Sequence, residues 1–116
     1  MDSAKMVKVF RALACKKRFA IVKLLLTKES CAGSISKTLG ASQSSISQHL
    51  RVLRDLGLVT DHRDGNHIHY IANREVLKQM NDGLSELLST EIDNTECPTK
   101  GELCAENATV ETQQIS

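Results

Sequence analysis

Ser42-Gln-Ser-Ser-Ile-Ser-Gln-His-Leu-Arg-Val-Leu-Arg-Asp-Leu-Gly57 places two incompatible faces on one predicted helix. Ile46, Leu50 and Leu53 recur at i, i+4 and i+7, the spacing that lines up a single apolar stripe on a 3.6-residue period. Opposite them stand Gln43, Ser44, Ser47, Gln48 and Arg51. Solvated helices usually carry Glu/Lys pairs there. Short amides, hydroxyls and a guanidinium suit DNA instead: Gln bonds adenine bidentately, Ser bonds several base edges, and Arg bonds guanine or a phosphate. Ser42 is a natural N-cap and Gly57 a natural residue to follow the last turn, so both ends of the helix are marked.

Upstream, Ala32-Gly-Ser-Ile-Ser-Lys-Thr-Leu39 is a short amphipathic segment joined through Gly40-Ala41 to the Ser42 cap. Helix, glycine turn and helix make a helix-turn-helix. Downstream, Leu58–Arg63 and His67–Ile71 alternate around Asp64-Gly65-Asn66, which predicts a β-hairpin wing. The predicted fold class is mainly α with a small β-hairpin, a dimeric winged helix-turn-helix. Residues 1–90 form the DNA-binding and dimerisation domain, and 91–116 a flexible acidic tail.

The first 90 or so residues resemble the ArsR/SmtB family of winged-helix repressors, which sense metals, metalloids or thiol-reactive signals. The resemblance rests on Arg11-Ala-Leu-Ala14, Arg18-Phe-Ala-Ile21, Ser42 through Leu50, Leu53-Arg-Asp-Leu-Gly-Leu-Val59, and Arg63-Asp-Gly65 with Tyr70. It implies that Gln43, Ser44, Ser47 and Gln48 lie near base edges of double-stranded operator DNA. It also implies a homodimer built from the first helix and the helix after the wing. Two recognition helices related by a two-fold axis select an imperfect palindrome. His49 and Arg51 are expected on bases or phosphates, Arg63 on a phosphate, and His67 beside the wing tip.

The 116-residue chain is one domain in size, with 41% hydrophobic and 3% aromatic residues, so its own core is thin and a partner would add to it. Its net charge of +1 conceals a segregation. Residues 1–78 hold fourteen Lys/Arg against six Asp/Glu, a net of +8, and residues 79–116 hold one against eight, a net of −7. A basic body favours a polyanion through counterion release. No apolar run approaches a membrane span and no signal peptide opens the chain, which predicts a cytoplasmic protein without a membrane partner. Catalysis is not expected, because no flanking pattern supports a nucleophile–base pair.

The first helix is predicted over residues 3–14, with Met6, Phe10 and Leu13 inward and Val7 and Ala14 widening the stripe. The next, from about Lys16 to Thr27, is apolar nearly all round and is expected as a central core helix. Lys16-Lys17-Arg18 at its start either serves phosphates or is simply solvated. From about Arg74 to Ser89, Leu77, Met80, Leu84 and Leu87 give a coiled-coil-like seam. Zinc-sensing relatives place His with carboxylates on this helix; here it contains no His, so that ligand set is not expected. His62, His67 and His69 on the wing are either a metal cluster or DNA contacts.

Four cysteines remain. Cys97 and Cys104, with six residues between them that include Pro98 and Gly101, are the expected inducer ligands, completed by a thiol from the body, Cys31 ahead of Cys15. Cys31 matches the first Cys of the Cys-x-Cys of arsenic- and cadmium-sensing relatives, although Gly33 occupies the second position. It is either a residual ligand or a small apolar residue opening a helix. Cys15, standing where the family has a small polar or acidic cap, is either a ligand or a half-buried inert thiol. Thiolates select thiophilic ions, here As(III) or Sb(III) first, with Cd(II) or Pb(II) as further candidates. The expected function is a repressor released from its operator by such an ion. The alternative keeps the fold and replaces the ion with oxidation or persulfidation of Cys97 and Cys104.

Overall fold

The computed structural model describes residues 1–94; Cys97 and Cys104, and with them the predicted chelate loop, lie outside the described residues. The chain runs α1 (Ser3–Leu13), α2 (Lys16–Thr27), β1 (Ser30–Cys31), α3 (Ala32–Leu39), α4 (Gln43–Asp55), β2 (Val59–Asp64), β3 (His67–Ala72) and α5 (Arg74–Leu88). Predicted helix ends differ by a residue or so, the ordinary fraying of a terminal turn.

The core forms where the apolar stripes of α1, α2, α3 and α4 meet the inner face of the wing. Val9, Ile21, Leu25, Ile35, Ile46, Leu50, Leu53, Leu58 and Val59 are almost fully buried there. The three from α4 are the predicted stripe, and at about 1.5–3 kcal/mol for each buried aliphatic side chain they seat that helix firmly. Ser42 Oγ accepts the Ser45 N–H at 3.1 Å, capping α4 as its sequence predicts. Gly40 closes α3 at φ +64°, a left-handed conformation that glycine adopts without strain. Ser36 then locks the turn between α3 and α4. Its carbonyl accepts the Ala41 N–H at 3.1 Å and its hydroxyl donates to the Ala41 carbonyl.

The hairpin turns through Gly65 and Asn66, with Gly65 at φ +63°, the first loop position at which a type II′ turn takes glycine. The predicted two-stranded hairpin is in fact a three-stranded antiparallel sheet in the order β1-β3-β2. Ser30 pairs with Tyr70 and Cys31 with His69. A two-residue strand has no period to detect, which is why alternation in the sequence did not disclose it.

Three helices also differ from expectation. On α1 the buried residues are Met6, Val9 and Ala12, while Phe10 and Val7 face outward. Counting the stripe from Phe10 rather than Val9 rotated it toward the free side. On α2, Ile21, Val22 and Leu25 are buried but Phe19 is exposed, with Lys23 Nζ 6.0 Å from its ring centre. The helix is therefore one-sided rather than enclosed. On α5 only Met80 of the predicted seam is buried, and Leu84 and Leu87 stand open. Met6 lies against Gly83, where an added Cβ would come within 2.9 Å of its sulfur, so α1 and α5 run close together. Among the described residues no helix is long and apolar enough to cross a membrane.

Candidate nucleic-acid interface

Burying Ile46, Leu50 and Leu53 fixes the rotation of α4 and thereby presents its other side to solvent. Gln43, Ser44, Ser47, Gln48 and Arg51 are all exposed. At 100° per residue, Ser44, Ser47, Gln48 and Arg51 fall within an arc of about 100°, narrow enough to enter a single groove. The Gln43 side chain leans toward the start of α3, its Oε1 3.9 Å from the Cβ position of Gly33. An open cleft of about 490 Å³ joins these elements, lined among others by Cys31, Gly33, Gln43, Ser47, His67 and Tyr70.

The wing is pinned to the end of α4. Arg54 Nη1 donates to Asp61 Oδ2 at 3.0 Å, bridging the last turn of α4 to β2. Both side chains are partly exposed, so the pair contributes at most about 1 kcal/mol while it links helix to wing. Asn73 reinforces the joint. Its Nδ2 donates to the Gly57 carbonyl at 2.9 Å, its backbone N–H to the Leu58 carbonyl at 2.8 Å, and its Oδ1 accepts the Glu75 N–H at 3.1 Å to cap α5. Arg63 and His67 are exposed on either side of the hairpin tip. Nothing in the sequence pattern pointed to Arg54, Asp61 or Asn73; only an Asn immediately before a predicted helix, a natural cap, was there to be noticed.

His49 is set apart from the exposed arc. It lies about 160° round the helix from Arg51, is partly buried, and places Nδ1 3.5 Å from Arg18 Nη1. Arg18 Nε donates to the Ala12 carbonyl at 2.6 Å, so this one side chain ties the end of α1 to α4. Lys17 Nζ reaches the Leu39 carbonyl at the end of α3, at 3.5 Å. Of the predicted basic cluster, Lys16 alone stands exposed and without a hydrogen bond of this kind, while Lys17 and Arg18 join helices.

The two described thiols occupy equivalent places: Cys15 is the N-cap of α2 and Cys31 the N-cap of α3, and neither side chain makes a capping hydrogen bond. Both are half-buried. The Cys15 thiol titrates below its ordinary value. The backbone N–H of Arg18 is the largest cause; burial works against it, and the Lys17 N–H and the Arg18 charge add to the lowering. Since no capping bond of ordinary geometry forms, the effect is that of aimed dipoles and charge. The structure does not bring Cys15 and Cys31 together: they head different helices.

Residues 15–61 match the family model described as bacterial regulatory protein, arsR family. The chain is 33% identical over 85 residues to nodulation protein NolR of Rhizobium meliloti, a match covering 73% of this chain and 70% of NolR. It is 39% identical over 66 residues to the arsenical resistance operon repressor of Escherichia coli, covering 55% of this chain and 56% of the repressor. Reduced HlyU from Vibrio cholerae superposes with a TM-score of 0.62 at 35% identity, over 76% of this chain and 93% of HlyU.

Proposed function

Since the chain belongs to the ArsR family of bacterial regulatory proteins, we propose that it binds operator DNA as a homodimer and represses transcription until a thiophilic ion releases it. The observation that carries the DNA-binding reading is the exposed arc of Ser44, Ser47, Gln48 and Arg51 beside a wing whose tip bears Arg63 and His67. α4 enters the major groove, Ser47 and Gln48 read base edges, Arg51 and Arg63 hold phosphates, and Gln43 and Ser44 flank them. His49 supports this surface through Arg18 rather than touching DNA itself. The open leucines of α5 and the outward Val7 and Phe10 of α1 cover each other across a two-fold axis, which sets two recognition helices on two half-sites.

Cys97 and Cys104 are the inducer ligands in this reading, and Cys15 is the third thiol. Cys15 heads α2 three residues before Arg18, whose side chain joins α1 to α4. Its lowered thiol pKa also makes the thiolate more available to an ion. A ligand shifts an equilibrium only by its differential affinity for two states. An ion at Cys15 pulls on the corner that connects the dimer helix to the recognition helix, and so distinguishes the two. A three-thiolate set suits As(III) or Sb(III), then Cd(II) or Pb(II).

The test is operator release by the full chain, titrated with arsenite, antimonite, cadmium and lead beside diamide and an organic persulfide. The ion reading predicts release by at least one thiophilic ion and its loss in Cys97→Ser/Cys104→Ser. Release by the oxidants alone would transfer the inducer role to thiol oxidation. Unchanged release by the same ion in the double variant would refute the tail ligands.

A further inference from the structure

The outer face of the wing carries a cluster to which the function proposed above assigns no role. Along β3 the even residues Ile68, Tyr70 and Ala72 turn toward the core, and Ala72 is buried. The odd residues therefore face away from the core. His69 lies in the centre of that outer face, opposite Cys31 of β1 on one side and His62 of β2 on the other. Directly opposed residues share a face. Glu29, two residues before Cys31, reaches over the sheet, and its Oε1 lies 2.6 Å from His62 Nε2. The His62 and His69 rings stack with centres 5.6 Å apart. Two imidazoles from the hairpin and the carboxylate of Glu29 thus stand together, and Cys31 is paired in register with His69 from β1.

We propose that Glu29, His62, His69 and Cys31 form a binding site for a borderline divalent transition ion of the zinc type. As they stand, the described residues contain no three His, Cys, Asp or Glu side chains placed to hold an ion. The reason is local. Glu29 and His62 hydrogen-bond to each other, and His69 presents its ring face to His62. The rearrangement needed is small. Two donors on a tetrahedral ion with bonds of about 2.0–2.1 Å stand roughly 3.3 Å apart, so the Glu29–His62 pair has to open by less than about 1 Å. His62 is 55% exposed and Glu29 39%, and their side chains are free to move that far. His69 turns edge-on by rotation about its side-chain torsions, and cross-strand Cβ atoms about 5 Å apart let both rings meet one ion. Cys31 completes the set and gives up its proton on binding.

Nitrogen, oxygen and a single sulfur select zinc or its neighbours rather than the ions preferred by three thiolates. An ion here cross-links β1 to β2 over β3 and so fixes the start of α3 relative to the wing. His67, at the tip and on the far side of His69 from Glu29, is outside the set, although its ring lies 6.4 Å from that of His69.

The experiment titrates Co(II), then Zn(II) in competition, into the full chain carrying Cys97→Ser/Cys104→Ser, followed by electronic absorption. The proposal predicts one saturable Co(II) per protomer, with tetrahedral ligand-field bands and a sulfur-to-cobalt charge-transfer band. Cys31→Ser removes the charge-transfer band. His62→Gln and His69→Asn, conservative changes at solvent-accessible positions, each weaken binding by more than about tenfold, the scale of losing even an outer partner of a metal ligand. Glu29→Gln weakens it too, and His67→Asn leaves it within about twofold. The proposal is overturned by an absence of saturable binding, by a charge-transfer band that survives Cys31→Ser, or by His67→Asn matching the loss in His69→Asn. Far-UV circular dichroism of each variant identifies any that fails to fold, and the remaining single variants decide.

Discussion

On one side of α4 a run of exposed polar side chains, Gln43, Ser44, Ser47, Gln48 and Arg51, stands in water, whereas α1 and α5 also leave the large apolar side chains Val7, Phe10, Leu84, Leu87 and Leu88 exposed. Each helix also buries apolar side chains of its own, so burial alone does not separate them. What separates them is the chemistry of the opposite side. Short polar groups without carboxylates repel nothing on a polyanion and form directional bonds. Open leucines beside outward α1 residues, on helices brought close where Met6 meets Gly83, form a face that water solvates poorly and another copy of the same chain would cover. In the function proposed above the two faces divide the labour: one would read a half-site, the other would join two copies.

The largest expected effect comes from breaking the apolar face. Leu84→Glu with Leu87→Glu should turn the dimer into monomers in sedimentation and lower affinity for a palindromic operator by about 10²-fold or more, because the second half-site is no longer linked to the first. The α4 arc remains intact in that variant, so binding to a single half-site should persist. Next in size is the arc itself. Ser47→Ala with Gln48→Ala should reduce the ratio of operator to unrelated-DNA affinity by about 10–100-fold, at roughly 1–3 kcal/mol for a good base contact. Its sedimentation should stay that of the parent protein.

Smaller still is the wing. Arg63→Ala should weaken all sequences about equally and lower the slope of log affinity against log salt by roughly one. A loss confined to one operator would make Arg63 a base reader. The smallest effect belongs to the joint between the two elements. Arg54→Ala should cost at most about 1 kcal/mol of operator affinity, with Asp61→Ala similar and the double variant no worse than either single one, as expected of a partly exposed pair.

Much of this division was legible before any coordinates. The α4 stripe, the Ser42 cap, the glycine turn and the Gly65 tip are local signals, decided by neighbours a few residues away, and the structure shows each of them. Elements that depend on distant partners were not legible. β1 is too short for a period and exists because β3 lies beside it. The face that α1 buries is set by α2 and the core, and a Phe at position 10 misdirected the count because aromatic residues usually pack inward. His49 was legible as a polar residue on the recognition helix, but its partial burial and its approach to Arg18, 31 residues away, were not. Glu29 carried no signal in the sequence, since its partner His62 lies on a strand 33 positions further on.

The central claim is that the exposed arc of α4 enters the major groove twice, one helical turn or a multiple of it apart. Methylation interference at guanine N7, an acceptor that faces only the major groove, tests it most directly on an operator selected from random DNA by the full chain. The account predicts two symmetry-related patches of interference with that spacing, and their loss in Ser47→Ala/Gln48→Ala while weak salt-sensitive binding persists. Interference confined to adenine N3 in the minor groove, or two patches left unchanged in the double variant, would contradict it.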